Sequence, residues 1–254
     1  MSAHAPRYDR VARLFRPLEY ITFGRSLERA RERGLADLAA PRHALLLGEG
    51  DGRFLAELAR RFPRTTIDCI DGSGGMLAIA ERRLRTSVPD AASRVRFVEA
   101  EILTGAWEGK DAYDLVVTNF VLDCFDPEGI GELVRKVSRL VAPEATWLVA
   151  DFANGHGRFA KLRSTAWLSI LYAFFATATG QAVRRLHDPD ESLAGGGWRR
   201  ERRTAHRLGL LRSETWRRTG PPNATSDQPS REPSTGAGSS DSPDFALSPG
   251  GRTM

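Results

Sequence analysis

The stretch from Leu45 to Phe54, LLLGEGDGRF, decides the fold. Its leucines predict a short buried strand. Glycines follow at positions 48, 50 and 52, where they let the backbone turn sharply and approach a ligand closely. Apolar residues from Phe54 to Phe62 then recur at helical spacing until Pro63. A strand, a glycine turn and a helix in this order predict an α/β unit with a ligand near the helix N-terminus, or a tight turn without a ligand.

The rest of the chain alternates between strand and helix patterns. Apolar runs at 66–70, 95–98, 113–118 and 146–150 predict four more strands. Helical spacing at 25–39, 76–84 and 128–141 predicts helices between them. Strands joined by long helices form parallel sheets with helices on both faces, so the sequence predicts a doubly wound α/β fold. A nicotinamide or flavin fingerprint would need glycine where Arg53 stands, so dinucleotide binding fits less well.

A carboxylate follows the second predicted strand. Asp71 comes where the chain leaves the carboxyl end of that strand, which is where open α/β sheets bind ligands. There it can accept both hydroxyl hydrogens of a ribose. The alternative is a cap for the helix that starts near Ser73.

Five blocks of sequence, taken together, resemble a known family. LLLGEGDGRF, IDCIDGSGGMLAIA, VRFVEAEI, YDLVVTNFVLDCF and LVAPEATWLVADF look, in this order, like the motifs of class I S-adenosylmethionine-dependent methyltransferases. The resemblance implies a doubly wound, mostly parallel seven-stranded sheet whose last strand is antiparallel. Residues 198–203 and 208–216 would supply its final hairpin. The likeness is loosely to the branch that methylates quinones and other small molecules.

The resemblance also implies S-adenosyl-L-methionine as cofactor and a set of residues that bind it. In the family the loop glycines pass beneath the methionine and ribose, Asp71 holds the ribose, and Glu101 with Ile102 reads adenine. Asn119 matches the position where the backbone meets the cofactor's amino group. Glu101 has the alternative of a solvated loop acid, and Asn119 that of a turn residue. The complete set is Gly48, Glu49, Gly50, Gly52, Asp71, Gly72, Met76, Glu101, Ile102 and Asn119.

The chain departs from the family pattern at one position. The family has an acidic residue two places before the first loop glycine, where this chain has Leu46. Glu49, inside the loop, is the nearest carboxylate that could replace it.

The chemistry of the family needs little from catalytic side chains. A sulfonium carries its own leaving group, so the protein mainly aligns donor and acceptor and excludes water. The histidines are scattered without ligand spacing, and no metal is expected. His187 is the best candidate for a general base, with a loop histidine as the alternative. Asp123 and Asp151 follow strands four and five, where they could orient an acceptor or cap a helix.

The predicted organisation has three parts: an N-terminal helical cap at 1–42, a methyltransferase domain at 43–218, and a disordered tail at 219–254 rich in Pro, Gly and Ser. An apolar helix is predicted at 159–183. It contains 164–183, which carries no charged residue, and it fits a membrane contact, a core helix or, preferably, the wall of an acceptor pocket for an apolar or aromatic molecule. The N-terminal helices cap that pocket or mediate a homodimer.

The composition excludes a wholly disordered chain and leaves several functional classes open. The 254 residues are 41% hydrophobic and 27% charged, enough apolar material for a core. Cys69 and Cys124 are expected to be reduced core thiols of a cytoplasmic protein, and no secretory signal is visible. A net charge of +5 and the run Trp198–Arg203 leave a nucleic-acid methyltransferase as an alternative, though a disfavoured one, because Asn119 is not followed by Pro-Pro. An inactive cofactor-binding protein and, with less support, an aminopropyl transferase are the others.

Overall fold

The computed structural model describes residues 26–107, 112–153, 187–206 and 209–220. The strands are β1 (His43–Leu47), β2 (Thr66–Asp71), β3 (Val95–Glu99), β4 (Tyr113–Asn119), β5 (Val141–Phe152), β6 (Trp198–His206) and β7 (Leu211–Arg218). The helices are α1 (Ser26–Glu32), α2 (Arg53–Arg61), α3 (Gly74–Ser87), α4 (Pro127–Ser138) and α5 (Asp190–Gly195). Short 3-10 helices cover Arg33–Asp37, Pro89–Arg94 and Leu122–Cys124. The predicted apolar helix at 159–183, the first 25 residues and nearly all of the tail lie outside the described residues.

The seven strands form one sheet in the order β3-β2-β1-β4-β5-β7-β6. Strands β1 to β5 pair in parallel, and β7 runs antiparallel to both β5 and β6. The predicted doubly wound fold with an antiparallel last strand is therefore confirmed. Since strand order reverses between β1 and β4, the carboxyl ends of these two strands flank the crevice where such sheets bind ligands.

Both faces of the sheet are covered, which explains the almost continuous apolar runs of the parallel strands. On one face Leu46 and Leu115 pack with the buried residues of α2 and α3. On the other face Leu45, Val116 and Trp147 pack with α4. Adjacent leucines of β1 thus serve opposite cores, because successive side chains of a strand point to opposite faces.

The arginines of β6 lie on an edge strand of the sheet. Their side chains are largely exposed, but they are paired with acids of the same chain. Arg200 pairs with Asp190, Arg202 with Asp37, and Arg203 with Glu214 at 3.1 Å. Charge on an edge strand hinders pairing with another sheet edge.

Two local expectations are wrong. The helix predicted to reach Val141 ends at Ser138, because Val141 already pairs with Tyr113 and starts β5. Cys124 is exposed in the 3-10 helix after β4, whereas Cys69 is buried in the core as expected. The apolar residues around Cys124 in the sequence predicted a buried thiol, but the side chain of Cys124 is exposed.

Gly52 is expected to tolerate no side chain. It has φ +77°, and a Cβ there would lie 2.6 Å from Ala80 Cα in α3. Gly52→Ala should lower the free energy of unfolding by about 2 kcal/mol, since left-handed strain adds to overpacking against backbone. Urea unfolding would measure the loss.

Gly195→Ala is the matched control, because a Cβ at Gly195 would meet no atom within 4 Å. We expect this variant to be neutral or slightly stabilised. Equal stability of the two alanine variants would contradict the close approach of α2 and α3 at Gly52.

Candidate functional site

The glycine turn lies at the reversal point of the sheet. Gly48, Gly50 and Gly52 have φ of +64°, +69° and +77°, so each adopts the left-handed conformation that favours glycine. The backbone N–H of Gly48 donates to Ile70 O at 2.8 Å, which joins the start of the turn to β2. A Cβ on Gly48 would lie 2.6 Å from Val121 Cγ2, in the segment after β4. The turn is thus held between the two strand ends.

Asp71 fixes the turn from the end of β2. Its Oδ2 accepts from the Gly50 N–H at 3.1 Å, and its Oδ1 accepts from the Ser73 N–H at 2.9 Å. Ser73 itself caps α3 by accepting from Met76 N–H at 3.2 Å, so Asp71 is not the helix cap. A carboxylate has about four acceptor sites, so these two bonds leave capacity for two hydroxyl donors.

Further predicted residues lie beside this centre. A Cβ on Gly50 would be 3.8 Å from Met76 Cε, and a Cβ on Gly72 would be 3.7 Å from Glu101 Oε1. Ile102 lies on the other side, with its Cδ1 3.5 Å from the position of a Gly48 Cβ. The fold thus places the ends of β1 and β2 and the segment after β3 next to one another.

Glu49 caps the helix that follows the turn. Its Oε1 accepts from the Leu55 N–H at 2.8 Å, whereas the N-cap residue Gly52 has no side chain to offer. Burial raises the pKa of Glu49 to about 8, the bond to Leu55 and the charge of Arg31 lower it, and the charges of Asp51 and Asp71 raise it further. Glu49 therefore holds a proton at neutral pH and would release it beside a bound cation.

The electrostatics of this group favour a positively charged ligand. Burial raises the pKa of Asp71, its bonds to Ser73 and Gly50 lower it, and the nearby charge of Glu101 raises it. Three carboxylates, those of Glu49, Asp71 and Glu101, thus lie at one edge of the sheet. A cation placed among them would lower the free energy of their ionised forms.

A second group of acids lies at the carboxyl ends of β4 and β5. Asp123 is 6% exposed and Asp151 is fully buried. Asp151 lies inside β5 and not after it, beside Arg212 of β7. Asn119 ends β4 with 8% exposure, and its Nδ2 has no hydrogen-bond partner among the described residues.

His187, the predicted general base, is half-buried next to Asp188. Within the described ranges no hydrogen bond or ion pair joins its ring to another residue. Asp188 does connect to the second group of acids, because it accepts from Arg212 Nη1 at 3.0 Å. The described contacts thus join the neighbour of His187 to β7, and the role of His187 as a general base stays a prediction.

Comparison with known proteins agrees with this architecture. A family model described as a methyltransferase domain matches residues 45–146. About two fifths of the chain thus resembles a methyltransferase domain. The matched range begins in β1 and ends inside β5, so it contains the glycine turn, Asp71 and the segment after β3.

Individual relatives match this domain over part of their length. A malonyl-[acyl-carrier protein] O-methyltransferase of Halalkalibacterium halodurans is 33% identical over 114 residues, which are 44% of this chain and 40% of the relative. The chain thus spans about two fifths of that curated relative. An O-methyltransferase family protein of Burkholderia thailandensis has a similar fold, with TM-score 0.58 at 20% identity over 84% of this chain and 58% of the other.

A second similar fold was solved with a cofactor product. The N-methyltransferase NodS of Bradyrhizobium japonicum, in complex with S-adenosyl-L-homocysteine, has a TM-score of 0.53 at 15% identity. The match covers 78% of this chain and 88% of NodS. At such identities the likeness shows the fold of the methyltransferase domain.

The described part of the methyltransferase domain offers no group of three or more metal-ligating side chains. In the same residues, no helix has the length and apolar character needed to cross a bilayer.

Sequence analysis did not identify two buried charged residues of β7 near the second group of acids. Arg212 is 4% exposed and Glu214 is 2% exposed, on the same face of β7. Their i, i+2 spacing inside an otherwise generic strand was the available signal, since alternate residues share one face.

Proposed function

We propose that this protein transfers a methyl group from S-adenosyl-L-methionine to a small-molecule acceptor. The observation that carries the proposal is the bond from the Gly50 N–H to Asp71 Oδ2, which joins the glycine turn to the acid of β2 at the reversal point of the sheet. The methyltransferase domain match and the NodS complex support the choice of cofactor.

The residues present fit this cofactor. When bound, it supplies a methyl group on a positively charged sulfur. Asp71 would accept the ribose hydroxyls, and Glu101 with the backbone of Ile102 would contact the adenine. Left-handed glycines leave the backbone bare where the ligand approaches, and the ionised form of Glu49 would attract its cationic part. The work of the chain is to bind, orient and exclude water, which supplies much of the rate in such transfers.

A small acceptor fits the charges better than a nucleic acid does. Nucleic-acid binding needs cations free to contact phosphates. Several arginines of β6, the most basic run of the described chain, already pair with Asp37, Asp190 and Glu214. We therefore favour a small molecule.

Calorimetric titration of the full chain tests the cofactor assignment. We expect S-adenosylmethionine and S-adenosylhomocysteine to bind with micromolar dissociation constants, and ATP to bind much more weakly because its phosphates meet the acids of the site. A labelled-methyl assay over phenols, quinols and lipids would then detect transfer. No heat from either compound at millimolar concentration, or equal binding of ATP, would refute the proposal.

A further inference from the structure

Two acids at the carboxyl ends of β4 and β5 form a buried pair that the cofactor site does not use. Asp151 is fully buried on β5, and Asp123 is 6% exposed in the 3-10 helix Leu122–Cys124. The backbone N–H of Phe120 donates to Ala150 O at 2.6 Å, which holds the exit of β4 against β5 beside Asp151, and the charge of Asp123 raises the pKa of Asp151. Val121, which contacts the glycine turn, lies two residues before Asp123, so the pair adjoins the cofactor end of the sheet.

Asp151 lacks the partners that a buried carboxyl group normally has. In the part of the chain that the structure describes, neither of its oxygens has a side-chain hydrogen-bond partner, and the backbone N–H of Val121 is the polar group that lowers its pKa. Buried polar groups are nearly always paired, and an unpaired one calls for a ligand, a proton or water. Asn119 Nδ2, at the end of the neighbouring strand, is also buried and unpartnered.

The nearby cation is already engaged elsewhere. Arg212 lies opposite Asp151 in the β5–β7 register, but its Nη1 donates to Asp188 at 3.0 Å and its Nε lies 4.0 Å from Glu214 Oε1. A carboxylate substrate would therefore meet the negative charge of Asp123 and a guanidinium whose positive charge Asp151, Glu214 and Asp188 already share. Like charges placed together in a buried site cost several kcal/mol.

We propose that Asp123 and Asp151 form the acceptor end of the active site, and that they select a neutral hydroxyl group and take its proton. This inference rests on the proposed function. The acceptor oxygen forms its bond to the methyl carbon while the carbon–sulfur bond breaks and leaves a neutral thioether. The hydroxyl proton passes to the Asp123 carboxylate and from there to solvent.

The ionisation of the pair fits these roles. Burial raises the pKa of Asp123 to about 6, while the bond from Cys124 and the charge of Arg212 lower it. Burial and then the charge of Asp123 raise the pKa of Asp151 well above its ordinary value; the charge of Glu214 also raises it, while the charge of Arg212 and the Val121 backbone bond lower it. The ionised form of Asp123 can therefore accept a proton near pH 7, and burial beside that charge disfavours the ionised form of Asp151. Asp151 is accordingly a positioning residue that acts through Asp123.

Binding of matched probes to the full chain saturated with S-adenosylhomocysteine tests the proposal. The probes are para-cresol and para-toluate, which differ mainly in carrying a hydroxyl or a carboxylate. At pH 7.5 we expect para-cresol to bind at least tenfold more tightly, which is about 1.4 kcal/mol. Asp123→Asn should reduce this preference below threefold, because it removes the negative charge. Asp90→Asn, at an exposed position of the 3-10 helix Pro89–Arg94, should keep the full preference.

Asp151 needs a readout that a structural role would not change. In wild type, para-cresol binding should weaken below about pH 6 as Asp123 takes up a proton. Asp151→Asn should shift this midpoint, and it should also remove an infrared band of a protonated carboxyl group at neutral pH. Because asparagine resembles the protonated acid in size and charge, this variant should fold.

The outcomes separate the two proposals. Failure of S-adenosylhomocysteine to bind would refute the proposed function. If it binds, then equal or tighter binding of para-toluate, no binding of para-cresol, or an unchanged preference in Asp123→Asn would overturn the acceptor assignment. An unchanged midpoint and infrared spectrum in Asp151→Asn would overturn the proton-sharing role of Asp151.

Discussion

Replacing Asp71 by asparagine is expected to weaken binding of S-adenosylhomocysteine about a hundredfold or more. A hydrogen bond to a charged group contributes about 1.5–3 kcal/mol, and a ribose would lose two of them. The side-chain NH2 of asparagine would also lie against the backbone N–H of Gly50 or of Ser73, because both of these groups donate to the Asp71 carboxylate. Calorimetry at pH 7.5 would measure the loss.

Loss of the ribose contact can be distinguished from loosening of the turn. Wild type should bind the dideoxyribose analogue of S-adenosylhomocysteine at least tenfold more weakly than the natural compound, and Asp71→Asn should bind both alike. Asp51→Asn is the control within the same turn, since Asp51 pairs with Arg53 and Arg83 and not with the proposed ligand. If Asp71→Asn still preferred the natural ribose tenfold, Asp71 would not hold the hydroxyls.

Glu49→Gln is expected to stabilise the free protein by about 2 kcal/mol at pH 8 and to have no effect below about pH 4.5. Folding raises the pKa of Glu49 from its ordinary value of 4.5 to about 8. Between these values the folded state holds a proton that the unfolded state has released, so stability falls as pH rises. One pKa unit corresponds to about 1.4 kcal/mol, and partial exposure of Glu49 reduces the full amount. Urea unfolding from pH 4 to pH 8 would measure the difference.

The same substitution should weaken binding of the cofactor in a pH-dependent way. Ionised Glu49 attracts a cation and glutamine does not, so Glu49→Gln should lose about tenfold in S-adenosylmethionine affinity at pH 8 and little at pH 6. Wild-type binding should release a proton, seen as a dependence of the measured enthalpy on the buffer. Equal affinities of variant and wild type at pH 8 would leave Glu49 with the role of a helix cap alone.

Much of the fold could be predicted because its signals are local. The apolar run at 45–47 and the alternate glycines specify a strand and a turn through side-chain pattern and backbone freedom alone. Helix ends were less predictable, as at Ser138, because pairing of Val141 with Tyr113 competes with helical propensity. Such pairing depends on residues distant in sequence.

The candidate site likewise has features that the sequence predicted and features that depend on the packed structure. The resemblance assigned Asp71 and Glu101 to the cofactor, and the structure places Asp71 against the glycine turn and Glu101 beside Gly72. Glu49 was singled out as a substitute acid, but its bond to Leu55 N–H and its retained proton follow from packing. Burial sets such pKa values, and burial is a property of the assembled core.

The sequence by itself determined the strand–glycine turn–helix unit and the order of strands and helices, because backbone freedom and side-chain period act over a few residues. Only the tertiary structure decided that Asp123, Asp151 and Arg212 meet. They come from β4's exit, β5 and β7, and β7 inserts between β5 and β6. Long-range strand pairing therefore created the buried charges on which the choice of acceptor is proposed to depend.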